Sequence, residues 1–210
     1  MLQIKNLSFH FNSKYKRNLI TNLTFSVKKG EIKLVNGRSG LGKTTLLNII
    51  SGIKIPNLVW KGSILLNSSN ITNLSIEKRK IGLLMQERIL FPHFRVLENL
   101  LFAIPKDVSN KNNLIKKCLE ENQLLGLENY YPSELSGGQI SRIACIRTFL
   151  SYPDAILLDE PFVSLDEKSK QKLQKFIIKE IKFRNIPCVL VSHEKVDNKI
   201  GDGSPIKFKV

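Results

Sequence analysis

Apolar and polar positions alternate at Leu2/Ile4, Leu7/Phe9/Phe11, Leu23/Phe25/Val27 and Ile64/Leu66, which predicts strands with one buried face. The intervening NSKYKRN, KKGE and NSSN are turn-like, so an antiparallel β layer is expected near the N-terminus. Three other runs carry no alternation: KIGLLMQ ending at Gln86, AILLDE at 155–160 and PCVLVSH at 187–193. Continuous apolar strands of this kind belong in a parallel sheet covered by helices on both faces. Residues 31–53 read as a short apolar strand, a glycine-rich loop and a helix that stops near Gly52, in the order of a parallel α/β unit. Residues 169–184 place Leu173, Phe176, Ile177 and Ile181 at helical spacing, giving a right-handed crossover helix between the last two strands. The stretch from about 88 to 150 lacks strand signals and reads as helices broken by IPKD, GLENYYP and LSGG. The last of these helices is predicted over 139–150, with Ile140, Ile143 and Ala144 as its apolar stripe. The class is therefore α/β: a parallel-sheet core, an N-terminal antiparallel β layer and an inserted α-helical subdomain.

At 210 residues, 42% hydrophobic and 24% charged, the chain suits a single globular domain with a real core. No apolar run approaches the roughly 18 to 20 residues that cross a bilayer, and MLQIKNLSFH lacks the organisation of a secretory signal. The expectation is a protein that stays in the cytoplasm unless a partner holds it at a membrane. Cys118, Cys145 and Cys188 lie far apart without metal-ligand spacing and are expected to be reduced, mostly buried thiols. The formal charge of +15 admits nucleic acid or an anionic surface as partner. The lysines are dispersed and no RNA-binding aromatic motif accompanies them, so solvated faces account for them better.

The segment Gly37-Arg38-Ser39-Gly40-Leu41-Gly42-Lys43-Thr44 fits the phosphate-loop pattern G-x-x-x-x-G-K-[ST], after a strand and opening a helix. Glycines let the backbone curl until its N–H groups face a β-phosphate, Lys43 reaches the β and γ oxygens, and the Thr44 hydroxyl ligates Mg²⁺. AILLDE ends in Asp159 and Glu160, at the carboxyl edge where α/β sheets bind ligands. Asp159 suits the Mg²⁺ shell, and Glu160 suits proton abstraction from a water attacking the γ-phosphate. Gln86 and His193 each follow a buried strand and are expected at the same edge, beside the γ-phosphate. A second glycine-rich turn, Ser136-Gly137-Gly138-Gln139, opens the helix of the inserted region, and such a helix start attracts anions.

GRSGLGKT, Gln86 after KIGLLM, LSGGQ at 135–139, AILLDE, the Ser164-Leu165-Asp166 triplet and VLVSH occur in the order seen in the nucleotide-binding subunits of ATP-binding cassette (ABC) transporters, which the chain resembles from Met1 to about Asp197. LFPHFRVLENLLFAIP and the text around LSGGQ look like the helical region of small bacterial importer cassettes, thiamine-type ones among them. The resemblance implies a P-loop NTPase core at residues 1–86 and 151–210, with a helical signature subdomain at 87–150. It implies an ATPase using ATP and Mg²⁺. Residues 37 to 45, Thr45 included, would form the Walker A loop, and Asn36 before them would also bind the nucleotide. Asp159 would be the Walker B carboxylate, Glu160 the general base, Gln86 the residue that senses Mg²⁺ and couples to the membrane partner, and His193 the switch histidine. Ser136, Gly137, Gly138 and Gln139 would cap the γ-phosphate held by the Walker A loop of a second copy. Asp166 would lie in the loop linking the two sites of a homodimer, and Phe11 would stack on adenine, with Tyr15 as the other candidate ring.

The partners so implied are an integral membrane permease and a periplasmic or extracellular binding protein, with the cassette peripheral at the cytoplasmic face of the inner (plasma) membrane and no nucleic acid. The short stand-alone length favours an importer over an exporter cassette. The seventeen residues after His193 fit poorly the strand-and-turn ending of longer cassettes, and no regulatory domain of the maltose-importer type is expected. Two other readings compete with this one. A soluble cassette acting on nucleic acid or ribosomes would fit the charge, yet no coiled-coil or zinc insertion stands between Thr44 and Leu135. A non-catalytic module is opposed by Lys43, Asp159, Glu160 and His193 occurring together.

Overall fold

The computed structural model describes residues 1–12, 18–163, 165–193 and 200–208. Two sheets organise it. The first joins β1 (Leu2–Phe11), β2 (Asn18–Val27), β4 (Leu58–Leu66) and β5 (Ser69–Asn70) in the antiparallel order β2-β1-β4-β5. The second is parallel and takes β3 (Ile32–Asn36), β6 (Ile81–Leu84), β7 (Ala155–Asp159), β8 (Cys188–Ser192) and β9 (Ile206–Lys207) in the order β6-β7-β8-β3-β9.

The β layer contains a mismatch that its sequence already implies. Leu2, Ile4, Leu7 and Phe9 are all buried, but Ile4 and Leu7 stand three positions apart, an odd step, and cannot share a face in regular pleating. An irregularity resolves it: the register of β1 shifts between Ile4 and Leu7, and Asn6 takes φ 52°. Opposite it, Gly62 has φ 133°, and a Cβ there would lie 2.8 Å from Leu7 Cα, so only glycine admits the approach.

The parallel sheet is buried on both sides, which is why its strands lack alternation. Val35, Leu157, Val189 and Val191 pack with the β layer and with Leu46, Leu47 and Ile50 of α1 (Lys43–Ser51). Leu34, Ile156, Leu158 and Leu190 face the other way. They meet residues of α2 (Val96–Ala103), α3 (Lys111–Glu121), α4 (Gly137–Leu150) and α5 (Glu167–Arg184). The apolar face predicted for α5, Leu173, Phe176, Ile177 and Ile181, is buried in this second core. Each fully buried Leu or Ile of α1 contributes on the order of 1.5–3 kcal/mol relative to exposure, so the helix behind the phosphate loop is firmly seated. No helix among the described residues is long and apolar enough to cross a membrane.

Three boundaries differ from expectation. β6 ends at Leu84, so Gln86 lies just beyond the strand and is solvent-exposed. α4 begins at Gly137 because Ser136 supplies the N-cap, and the two glycines form its first turn. After His193, where the sequence fits a strand-and-turn ending poorly, Ile206 and Lys207 nevertheless add β9 to the edge of the parallel sheet beside β3.

Candidate functional site

Register brings the predicted residues to one edge. Parallel pairing aligns Asn36 with Ser192 across β3 and β8, and Asp159 with Val191 across β7 and β8. Glu160 and His193, one residue farther on, and Gln86 beyond β6 emerge at that same carboxyl edge. The phosphate loop leaves the edge at Asn36 and turns into α1 through Gly40 (φ 79°) and Gly42 (φ 89°), both in the left-handed region that favours glycine. At Gly42 a Cβ would also stand 3.0 Å from the ring of the buried Phe9, which ties the loop to the β layer. Lys43, only 5% exposed, donates from Nζ to the carbonyls of Gly37 and Arg38, each at 2.9 Å. The loop is thus curled around its own ammonium, which lies where an incoming phosphate can exchange for those carbonyls.

A cleft of ≈ 390 Å³ opens above the loop, lined by Phe11, Leu19, Ser39, Gly40, Gly42, Lys43, Thr44, Thr45, Gln86 and Glu160. One wall is the apolar edge of the β layer, and the floor is the N-terminus of α1 with its free N–H groups, a shape that suits a base at one end and a polyphosphate at the other. Asp159 is buried below the cleft, with the Thr44 side chain close to its carboxylate. Burial raises its pKa, with Glu160 adding to the rise, while the Thr44 side chain, Lys43 and Arg88 oppose it. The Thr44 hydroxyl, the Gln86 side chain and the Asp159 carboxylate are oxygen donors of the kind a hard cation such as Mg²⁺ takes, and Thr44 and Asp159 are near neighbours.

Glu160 is 8% exposed and holds φ 49°. A non-glycine residue in this region is strained, and the strain is offset here by neighbours that grip its backbone. Its N–H donates to Val191 at 3.0 Å, and its carbonyl accepts from the Arg88 guanidinium. Its carboxylate oxygen Oε1 stands 3.1 Å from Nδ1 of His193, whose side chain is half exposed. Carboxylate and imidazole therefore face the same space above the loop.

Other predicted residues lie elsewhere. Ser136 caps α4, accepting from the Gln139 N–H at 3.3 Å, while the Gln139 side chain accepts from the Ser136 N–H at 2.8 Å. With Gly137 and Gly138 they stand at an exposed helix start and do not line the cleft. Asp166 caps α5, and the Ser169 N–H it accepts at 2.9 Å lowers its pKa. Tyr15 and Ser164 lie outside the described residues, so Phe11 is the described aromatic at the cleft. The three cysteines are free and buried, as expected; burial pushes the thiol of Cys118 up to about 11 and that of Cys145 up to about 12, and raises that of Cys188. Sequence reading missed Leu19, which completes the apolar wall, and Arg88, a lone arginine two residues past Gln86 that no spacing pattern singles out.

Comparison with known proteins bears on the family and the fold. The family model described as ABC transporter matches residues 20–163. An uncharacterised ABC transporter ATP-binding protein of Escherichia coli, YnjD, is 36% identical over 199 residues, covering 94% of this chain and 90% of that protein. The Fe(3+) ions import ATP-binding protein FbpC of Haemophilus influenzae is 32% identical, across 93% of this chain and 56% of its own length. The spermidine/putrescine import ATP-binding protein PotA of Acetivibrio thermocellus is 35% identical, across 93% and 54%. The chain thus spans little more than half of these two import proteins. Among solved structures, the dimeric post-hydrolysis state of the ATP-binding cassette MJ0796 bound to ADP and Pi superposes with a TM-score of 0.84 at 27% identity, covering all of this chain and 94% of that one.

Proposed function

The chain belongs to the ABC transporter family as an ATP-binding cassette ATPase, and from that premise we propose that it powers a separate membrane permease, dimerising around ATP and hydrolysing it. The observation that supports this most is the meeting of Lys43, Thr44, Gln86 and Glu160 around one cleft, with Asp159 beneath and His193 beside Glu160. In this reading the α1 N-terminus and Lys43 bind the phosphates, and Phe11 packs against the base. Thr44, Gln86 and Asp159 hold Mg²⁺, which supplies charge neutralisation at the phosphoryl oxygens. Glu160 accepts the proton of the attacking water, and His193 keeps the carboxylate aimed at that water.

The remaining motifs fit a head-to-tail homodimer. The start of α4 offers the Gly137 and Gly138 N–H groups and a helix dipole but stands apart from its own cleft, so its anion would be the γ-phosphate held by a second copy. Two dimeric cassette structures resemble the chain at 27% identity, which favours the same assembly here. Residues 87–150 are the helical signature subdomain, and residues 1–86 with 151–210 form the nucleotide core. Past Gln86, Phe91 packs edge-on against Phe94 (5.5 Å) and Phe102 (5.0 Å), while Phe102 is 67% exposed and Ile89 53% exposed. An apolar patch in water at this place suits a protein partner, and we assign it to the permease. Import is the favoured direction because FbpC and PotA, the relatives above whose function is named, are import proteins. The cassette then sits peripherally at the cytoplasmic face of the membrane, with an external binding protein as a further component.

The test is ATP binding and Mg²⁺-dependent hydrolysis by the purified chain. Glu160→Gln is expected to bind ATP like the parent and to hydrolyse it about 100-fold or more slowly. A parent chain that binds no ATP, or a Glu160→Gln variant that hydrolyses at the parental rate, would overturn the assignment.

A further inference from the structure

Arg88 is hydrogen-bonded to the backbone of two residues of the proposed chemistry, yet the roles above leave it no use. It lies on the segment after β6 and is not in the cleft wall. Its Nη1 donates to the Gln86 carbonyl at 2.6 Å, and its Nη2 donates to the Glu160 carbonyl. One guanidinium therefore joins the backbones of two loops, those that leave the neighbouring strands β6 and β7. The fork suits the task, since a rigid planar group with donors at fixed angles fixes two acceptors relative to each other, which a lysine cannot do. Its Nε is buried without a hydrogen-bond partner, so the group is held there at a cost that ordinary packing would not require.

The acceptors explain the cost. Glu160 holds a left-handed backbone at φ 49°; its N–H donates to the Val191 carbonyl, and its own carbonyl accepts from the Arg88 guanidinium and, at a longer 3.3 Å, from the Val163 N–H within the turn. The Val191 bond is a sheet-edge contact that any residue at 160 would make. The Arg88 bond alone depends on a side chain, and on one anchored to the loop that carries Gln86 and leads into the apolar patch where Ile89 and Phe102 are exposed and Phe91 packs edge-on against Phe102.

We infer that Arg88 is a positioning residue, a brace that sets the Glu160 backbone, and through it the carboxylate, according to where the loop after Gln86 stands. The inference rests on the reading of Glu160 as the base. When the loop is in place the fork is closed and Glu160 is aimed. When a partner on the aromatic patch shifts the loop, the fork opens and the strained turn at Glu160 relaxes. Hydrolysis is thereby tied to the loop's position by one side chain that touches neither nucleotide nor metal.

The test uses the full chain with Arg88→Met, which keeps the bulk of the stem, and Arg88→Lys, which keeps the charge but not the fork. Both are expected to lower kcat about 10- to 100-fold, as loss of an orienting partner commonly does, while the KM for ATP and the Kd for a fluorescent ATP analogue change roughly two-fold at most. Hydrogen exchange of the nucleotide-free chain gives a readout that does not depend on turnover: amides at 159–163 and 85–90 are expected to exchange faster in both variants, with α5 unchanged. If exchange at 159–163 stays at the parental rate, or if Arg88→Lys restores full kcat, the brace is refuted and only charge or packing matters. Glu160→Gln serves as the control. If it retains turnover, the reading of Glu160 fails; if it abolishes turnover while Arg88→Met hydrolyses like the parent, only the brace fails.

Discussion

Replacing Ser136 separates two roles that coincide at the start of α4. As an N-cap its hydroxyl accepts from the Gln139 N–H at 3.3 Å, a long bond, and the Gln139 side chain independently satisfies the Ser136 N–H. Loss of the hydroxyl in Ser136→Ala therefore costs toward the low end of the capping range, about 0.5–1 kcal/mol, or roughly 1–4 °C in Tm for a chain of this size. Ser136→Asp keeps an equally good cap and adds a charge that the helix N-terminus favours, so its Tm is expected to match or slightly exceed the parent's. At the proposed dimer interface the same carboxylate would face a γ-phosphate. Like charges about 4 Å apart at an effective dielectric near 20 repel by about 4 kcal/mol. That is close to a thousand-fold per site, met twice in a symmetric dimer. The assay is light scattering in a Glu160→Gln background, where ATP is held without turnover, together with thermal unfolding of each monomer. Ser136→Asp should unfold like the parent, bind ATP and stay monomeric at concentrations where the parent background dimerises. Normal ATP-driven dimerisation by Ser136→Asp would falsify the placement of this turn opposite a phosphate.

Further predictions follow from buried groups and strained backbone. Gly62→Ala sets a Cβ 2.8 Å from Leu7 Cα at φ 133° and should destabilise the fold by about 2–4 kcal/mol in urea unfolding; a loss below 1 kcal/mol would mean that the β layer shifts freely. Because burial raises the Asp159 pKa, the native state carries a cost for its ionised form that grows as pH rises through its ordinary value of 3.8. Asp159→Asn is therefore expected to raise the Tm of the nucleotide-free chain at pH 7 while removing hydrolysis, and a lowered Tm would contradict the burial argument. The thiols behave in the same sense. Cys118 at about 11 and Cys145 at about 12 stay protonated in the fold after unfolded thiols ionise near 9.0, so the unfolded state binds fewer protons and stability falls as pH rises above 9. The matching measurement is Ellman's reagent at pH 8: no fast-reacting thiol in the native chain and all three in urea.

What the residues determine by themselves is local. The phosphate loop was legible because its glycines, Lys43 and Thr44 are contiguous and each is needed for a backbone or charge reason that no neighbour supplies. The two-sided burial of β7 and β8 was legible from unbroken apolar runs, and the odd spacing of Ile4 and Leu7 already calls for the bulge at Asn6. Tertiary structure decided what depends on distance in space. Whether Gln86, Glu160 and His193 meet turns on the parallel register of β6, β7 and β8, which is set by packing against helices far along the chain. That Ile206 and Lys207 form an edge strand depends on the open side of β3, which their own pattern does not encode. Arg88 is the clearest case. As a residue type between Glu87 and Ile89 it reads as surface charge, and only the folding of the next loop under its guanidinium makes it a link between Gln86 and Glu160, because hydrogen-bond partners are fixed by geometry and not by spacing.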